Sequence, residues 1–139
     1  MPTLANVLME EVVTRLAGFS GLGVGWIKRD HRTVIPRDQC PAIHVIDGAE
    51  TPASKSNGCY MPTKLEFRVA IFVRDDDGYA AADPIKIAVM AALNPDTAYT
   101  HSAIIARGPI IPEQEIADAD SLRVDMHFSL SYQTGEWTL

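Results

Sequence analysis

The sequence predicts an α+β domain, a mostly antiparallel sheet covered on one face by two helices. Three observations predict it. Residues 64–74 and 122–134 each alternate apolar with polar side chains over eleven or more positions, the period-two signature of a half-buried strand. Residues 4–16 and 83–94 repeat their apolar positions at helical spacing. The order along the chain is helix, two or three strands, a long loop, a long strand, a helix and two strands, which suits helices gathered on one face of a sheet.

In the first helix Leu4, Val7, Leu8, Val12 and Leu16 form the apolar face, with Glu10, Glu11, Thr14 and Arg15 on the other side. Thr3 is a suitable N-cap, and Gly18 and Gly21 end the helix. Leu22, Val24 and Trp26 alternate with Gly23 and Gly25, a strand over residues 22–28 that its glycines weaken. A charged loop follows, then a short apolar stretch at residues 33–35 that stops at Pro36. Residues 42–46 read as a buried strand. Residues 47–62, rich in Gly, Pro, Ser and Asn, read as a long loop of the kind that usually serves function or is disordered.

From Lys64 onward, Leu65, Phe67, Val69, Ile71 and Val73 face one way, and Lys64, Glu66, Arg68 and Arg74 the other, with Ala70 and Phe72 among them. Asp75, Asp76, Asp77 and Gly78 turn the chain. Asp83 is the expected N-cap of the second helix, with Pro84 at its first position, an apolar face of Ile85, Ala88, Val89, Ala92 and Leu93, and a stop at Asn94-Pro95. The helix can reach back through residues 79–82. A short strand at residues 103–106 is interrupted by Gly108-Pro109 and can resume at Ile110 and Ile111 before an acidic turn over residues 113–120. The last strand sets Leu122, Val124, Met126, Phe128, Leu130 and Tyr132 on one face, and Arg123, Asp125, His127, Ser129, Ser131 and Gln133 on the other. One face of the sheet is therefore expected to be apolar and the other polar along its whole length, free to meet water or line a channel.

With 139 residues, 47% of them hydrophobic, the chain is sized for one domain, residues 1–139, with a core that needs no staples. No stretch approaches the roughly 20 apolar residues of a membrane helix. The N-terminus carries Glu10 and Glu11 and lacks the basic start and apolar run of a secretory signal, so the expected setting is the cytoplasm. A net charge of −6 argues against gripping nucleic acid by its phosphates, although acidic walls would suit a surface past which DNA slides. Cys40 and Cys59 are too few for a disulfide scaffold.

No catalytic signature holds. Gly21, Gly23 and Gly25 lack the dinucleotide spacing and open a strand. Asp75, Asp77 and Gly78 match part of a calcium loop, but Val73 and Pro84 stand at its first and last ligand positions. Neither a metal nor another cofactor is expected. His31, His44, His101 and His127 form no pair at ligand spacing. Lys28, Arg29, Arg32 and Arg37 are the one basic concentration; with Asp30 and Asp38 interleaved they read as a solvated hairpin tip or as a contact for an acidic partner or nucleic acid.

The stretch Lys64-Leu-Glu-Phe-Arg-Val-Ala-Ile-Phe-Val-Arg74, the acidic turn, the Ala-rich helix over residues 80–93 and the closing strand with Phe128, Tyr132 and Thr134 together resemble the phage tail-terminator and tail-completion proteins. The N-terminal helix is similar too, and the likeness covers most of the chain in pattern and order. It implies a non-enzymatic virion tail subunit, made in the host cytoplasm. Such subunits assemble as a ring, usually a hexamer, that caps the tail tube, stops its polymerisation and offers a surface to the head connector, with the sheet toward the lumen. On that reading Glu66, Arg68, Arg123, Asp125 and His127 lie near the lumen or a neighbouring subunit. Lys28, Arg29, Arg32, Arg37, Lys55, Asp75, Asp76 and Asp77 are docking-loop residues. The partners are other copies of the chain, the tail-tube protein and a head connector or neck protein, with DNA passing through without specific binding and no membrane. A head–tail neck adaptor and, from another class, a small ligand-binding or enzymatic domain built on His44, His127 and residues 75–77 are the alternatives.

Overall fold

The structure is a computed structural model and describes residues 3–24, 26–29, 41–52, 60–74, 79–118 and 121–135. Helix α1 (Leu4–Ala17) is followed by strands β1 (Trp26–Arg29), β2 (Ala42–Pro52) and β3 (Tyr60–Arg74), a 3-10 turn (Tyr79–Ala82) and helix α2 (Asp83–Ala92). A second 3-10 turn (Thr100–Ser102) leads into β4 (Ile104–Asp118) and β5 (Ser121–Gly135). The five strands form one sheet in the order β1-β2-β3-β5-β4. Only the β1–β2 pair is parallel, so the expected α+β class, a mostly antiparallel sheet with two helices, is what the chain forms. Neither helix is long and apolar enough to cross a membrane.

The helices start and stop where their residues require. Thr3 accepts a hydrogen bond from the Asn6 backbone N–H at 3.2 Å, and the Gly18 N–H donates to Thr14 O at 2.9 Å. The expected cap at Asp83 is displaced. Residue 82 already has helical φ and ψ, because the 3-10 turn runs directly into α2, so Asp83 stands inside the first turn and pairs with Lys86 at 2.8 Å. A carboxylate there still opposes the positive end of the helix dipole.

The inner face of the sheet meets both helices. Leu65, Phe67, Val69, Ile71 and Val73 of β3 and Val124, Met126, Phe128, Leu130 and Tyr132 of β5 are buried there with Leu8, Met9, Val12, Leu16, Ile85 and Val89 from the helices. β3 and β5 pair without a break from Tyr60↔Gly135 to Arg74↔Ser121. At the middle of this ladder Phe67 and Phe128 stack, ring centroids 5.4 Å apart.

Four further sequence expectations shift. The strand expected over residues 22–28 is β1 alone: Leu22 is buried, but Gly23 adopts φ +75, which breaks an extended run. The long loop over residues 47–62 is largely strand, because β2 extends to Pro52 and β3 begins at Tyr60, pairing Thr51 with Lys64 and Pro52 with Thr63. Backbone pairing in a hairpin tolerates polar residues that face water on both sides. For the same reason the acidic turn expected over residues 113–120 is strand as far as Asp118, which pairs with Ser121. The fourth shift concerns the outer face of the sheet, which is not polar throughout: Ala42, Ala70 and Phe72 are buried on it, packed with Trp26 and Ile46.

The strands on either side of the β3–β5 pair both bulge at the level of the Phe67–Phe128 stack. β2 slips register between Asp47 and Glu50, and β4 between Arg107 and Ile110. Each bulge holds a glycine with a close neighbour. A Cβ on Gly48 would stand 2.6 Å from the Glu66 carbonyl oxygen, and one on Gly108 would stand 3.0 Å from the His127 Cβ. Bulges bend and twist a strand locally. Replacing Gly48 by Ala is expected to force the β2 bulge away from β3 and to lower the unfolding free energy by about 1–3 kcal/mol, measurable by urea denaturation.

Candidate functional site

The outer face of the sheet is read row by row from the register. Lys28, His44, Ala70, Asp125 and Ile111 form one row across β1, β2, β3, β5 and β4. Ile46, Arg68 and His127 form the next, and Glu66 lies opposite Ser129 beyond it. All five residues expected at a lumen or subunit interface, Glu66, Arg68, Arg123, Asp125 and His127, therefore share this face. Asp125 is its anchor. It is 2% exposed, the one buried charged residue among those described. Arg123 grips it with two hydrogen bonds, Nε to Oδ1 at 2.6 Å and Nη2 to Oδ2 at 3.0 Å, and Arg68 Nη1 reaches Oδ2 at 3.2 Å. Two cations around one carboxylate leave the cluster with a net positive charge, and Arg68 keeps 40% of its side chain exposed. Arg123 also lies over the Phe72 ring, 5.6 Å from its centroid.

Among the residues whose side chains are described, this face carries more basic than acidic groups, despite the net charge of −6. Of these it presents Lys28, Lys64, Arg68, Arg74 and Arg123 against Glu66 and Asp125. At the level of the two bulges it sinks into a hollow of about 420 Å³, lined by Lys64, Glu66, Arg68, His127 and, from the β4 bulge, Arg107. The hollow suits an anion. It offers no set of groups at catalytic or ligand spacing, and no group of three or more His, Cys, Asp or Glu that could hold a metal exists among the described residues.

The other expected contact residues separate. Arg29 is turned inward: Nε donates to Asp47 at 2.9 Å, and Nη1 to Asn6 and Glu10, each at 2.8 Å. The Asp47 hydrogen bond, opposed by partial burial and helped by Glu10, keeps the guanidinium even more firmly charged than usual. This residue clamps α1 to β1 and β2. Lys28 is exposed beside it. Arg32, Arg37, Lys55, Asp75, Asp76 and Asp77 lie outside the described residues, as do His31, Cys40, Cys59 and the stretch at 33–35.

No known protein family matches the chain, and no curated protein is significantly similar to it in sequence. Solved structures resemble it in fold. One protein chain of the virion of a native gene transfer agent particle superposes on 96% of this chain and 100% of its own length, with a TM-score of 0.70 and 20% identity. The likeness is one of fold. A second solved protein matches over 92% of each chain, with a TM-score of 0.60 and 13% identity.

Two features escaped the sequence reading. The first is a network that ties α1 to the start of β4. Arg15 donates to the carbonyls of Asn94, Thr97 and Ala98 and lies 3.6 Å over the Tyr99 ring, while Glu11 accepts from Thr100 N and Oγ1. Nothing in the local pattern signals contacts between residues 79 to 89 positions apart. His101 and Ser102 beside it adopt φ +56 and +54, a left-handed pair that the turn's hydrogen bonds hold in place. Tyr99 donates to Leu93 O at 2.8 Å, and burial pushes its pKa up to about 12. A folded-state pKa above the ordinary 10 means that the phenol stabilises the fold below pH 10 and loses that contribution as pH rises from about 10 to about 12. The melting temperature is expected to fall over that window, and Tyr99→Phe to flatten the slope.

The second feature is the sheet edge. Ile104, Ile110 and Ile111 on β4 are 68%, 46% and 43% exposed, and Ile87 on α2 is 72% exposed. β4 is also the last strand on its side of the sheet. A long strand edge with apolar side chains is a template for association.

Proposed function

We propose that this chain is a structural subunit of a phage-like virion, and that it closes the tail tube as a tail terminator, in a ring that is a hexamer in the family it resembles. The observation that carries the reading is the superposition over essentially the whole of both chains with a protein of a gene transfer agent virion. The residue pattern that resembles tail terminators supports the finer role. The exposed isoleucines along the β4 edge support assembly, because a solitary monomer has no use for them. On this reading the helices lie outside and the outer sheet face looks toward the lumen. Asp125 offsets one of the two arginines it holds, so the cluster turns a single net positive charge toward the passing DNA. No step of chemistry is assigned to it.

The test is a capping assay. Tail-tube protein that polymerises without limit is mixed with this chain. The terminator reading expects elongation to stop and one tube end to carry extra density. Tubes that keep growing with bare ends would overturn it, and density bound instead to isolated head connectors would assign the chain to the neck.

A further inference from the structure

We propose that the basic hollow on the outer sheet face binds backbone phosphates of double-stranded DNA, one hollow per subunit, as a weak hold that ignores base sequence. The choice of DNA as occupant rests on the reading that this face looks into the lumen. The hollow lies between the two bulges, with Gly48 and Gly108 in its walls; Lys64, Glu66 and Arg68 come from β3 and Arg107 from the β4 bulge. Beneath it Arg123 and Arg68 share Asp125. Among the described side chains, four cations thus stand against two carboxylates. The cations are accessible. Lys64 and Glu66 meet at 3.5 Å with each side chain 55% exposed, a pair that water largely screens. Arg68 keeps 40% of its side chain exposed. Arg107 is exposed and has no carboxylate partner among the described residues.

The spacing of the basic residues favours a polyanion over a single small anion. Arg74 lies six residues farther along β3 than Arg68, about 20 Å, and Lys28 stands on the far strand of the same face; both are exposed. A lone phosphate meets one of these positions. A duplex carries a charge for about every 1.7 Å of its axis and meets several at once. The register sets Glu113 opposite Arg123, four residues of strand, or about 13 Å, from the level of His127. The net charge of −6 opposes DNA at long range, but salt screens it beyond about 10 Å, so the groups at the contact decide. Few phosphates are neutralised, so the hold of one subunit is weak and falls with salt. A ring presents the hollow once per subunit, and the weak contacts then act together on one duplex.

Fluorescence anisotropy of a short labelled duplex, titrated with the full chain over a range of salt, tests the contact. Each neutralised phosphate adds about 0.9 to the steepness of log affinity against log salt. The wild type is expected to bind in low salt with a slope of about −2 to −3. Lys64→Ala with Arg107→Ala leaves Asp125 and its arginines in place; it is expected to bind about tenfold or more weakly, with a slope shallower by about 2. Arg107→Ala alone should fall between. Lys86→Ala, on α2 and away from this face, should bind like the wild type. Circular dichroism verifies each fold. A wild type that leaves the duplex free in low salt, a double variant that binds equally well, or an equal loss in Lys86→Ala would overturn the proposal. So would inorganic phosphate that binds where the duplex does not, which assigns the hollow to a small anion, or polyglutamate that binds more tightly than the duplex, which assigns it to an acidic protein. The free chain suffices for these measurements, so tail tubes that keep growing would overturn the terminator reading and leave the duplex result standing.

Discussion

Phe67→Ala is expected to lower the unfolding free energy by about 3–5 kcal/mol, the cost of deleting a buried phenyl ring and leaving its space empty. Phe67 is 1% exposed and stacks on Phe128 in the middle of the β3–β5 ladder, at the level where β2 and β4 both bulge. Little can relax into the space, because β3 is hydrogen-bonded on both sides and the helices lie over the inner face. Phe67→Leu, which keeps most of the volume, should recover much of the stability. Urea denaturation followed by circular dichroism reads both; a loss below 1 kcal/mol for the alanine would mean that the sheet repacks around the gap.

Asp125→Ala should be the most costly change on the outer face. It removes the carboxylate that holds Arg123 and Arg68 and leaves two guanidiniums facing each other. Breaking a fully buried pair costs about 3–5 kcal/mol. Here Arg123 and Arg68 are 20% and 40% exposed, and water screens part of the repulsion, so about 2–3 kcal/mol is expected. Because the residual term is repulsion between cations, added salt should recover some of it. A loss independent of salt would point to packing around Phe72 instead.

The two long alternating runs made the sheet readable from the sequence, and the helix spacing with Thr3 and Gly18 made α1 readable, because these signals lie in neighbouring residues. The outer segments of β2 and β4 were not readable. Asp47 to Pro52 and Glu113 to Asp118 are polar, and only pairing with a distant strand makes them extended. The candidate face was legible as a set, since Glu66, Arg68, Arg123, Asp125 and His127 follow from the period of two. The period also placed Ala70 and Phe72 on that face; what it could not show is that they are buried there with Ala42, Trp26 and Ile46, that Asp125 is buried between two arginines, or that Arg29 faces inward. Those depend on which strands become neighbours, and β5 lies between β3 and β4 only in the folded sheet.

The most direct test of the account is the particle that the purified chain forms at the end of a tail tube, imaged by cryo-electron microscopy with symmetry left free. The account predicts a closed ring of copies, six in the family it resembles, with the helices outside and the face bearing Arg68, Asp125 and His127 toward the lumen. A ring with the helices toward the lumen, or a single copy bound to the side of the tube, would contradict it.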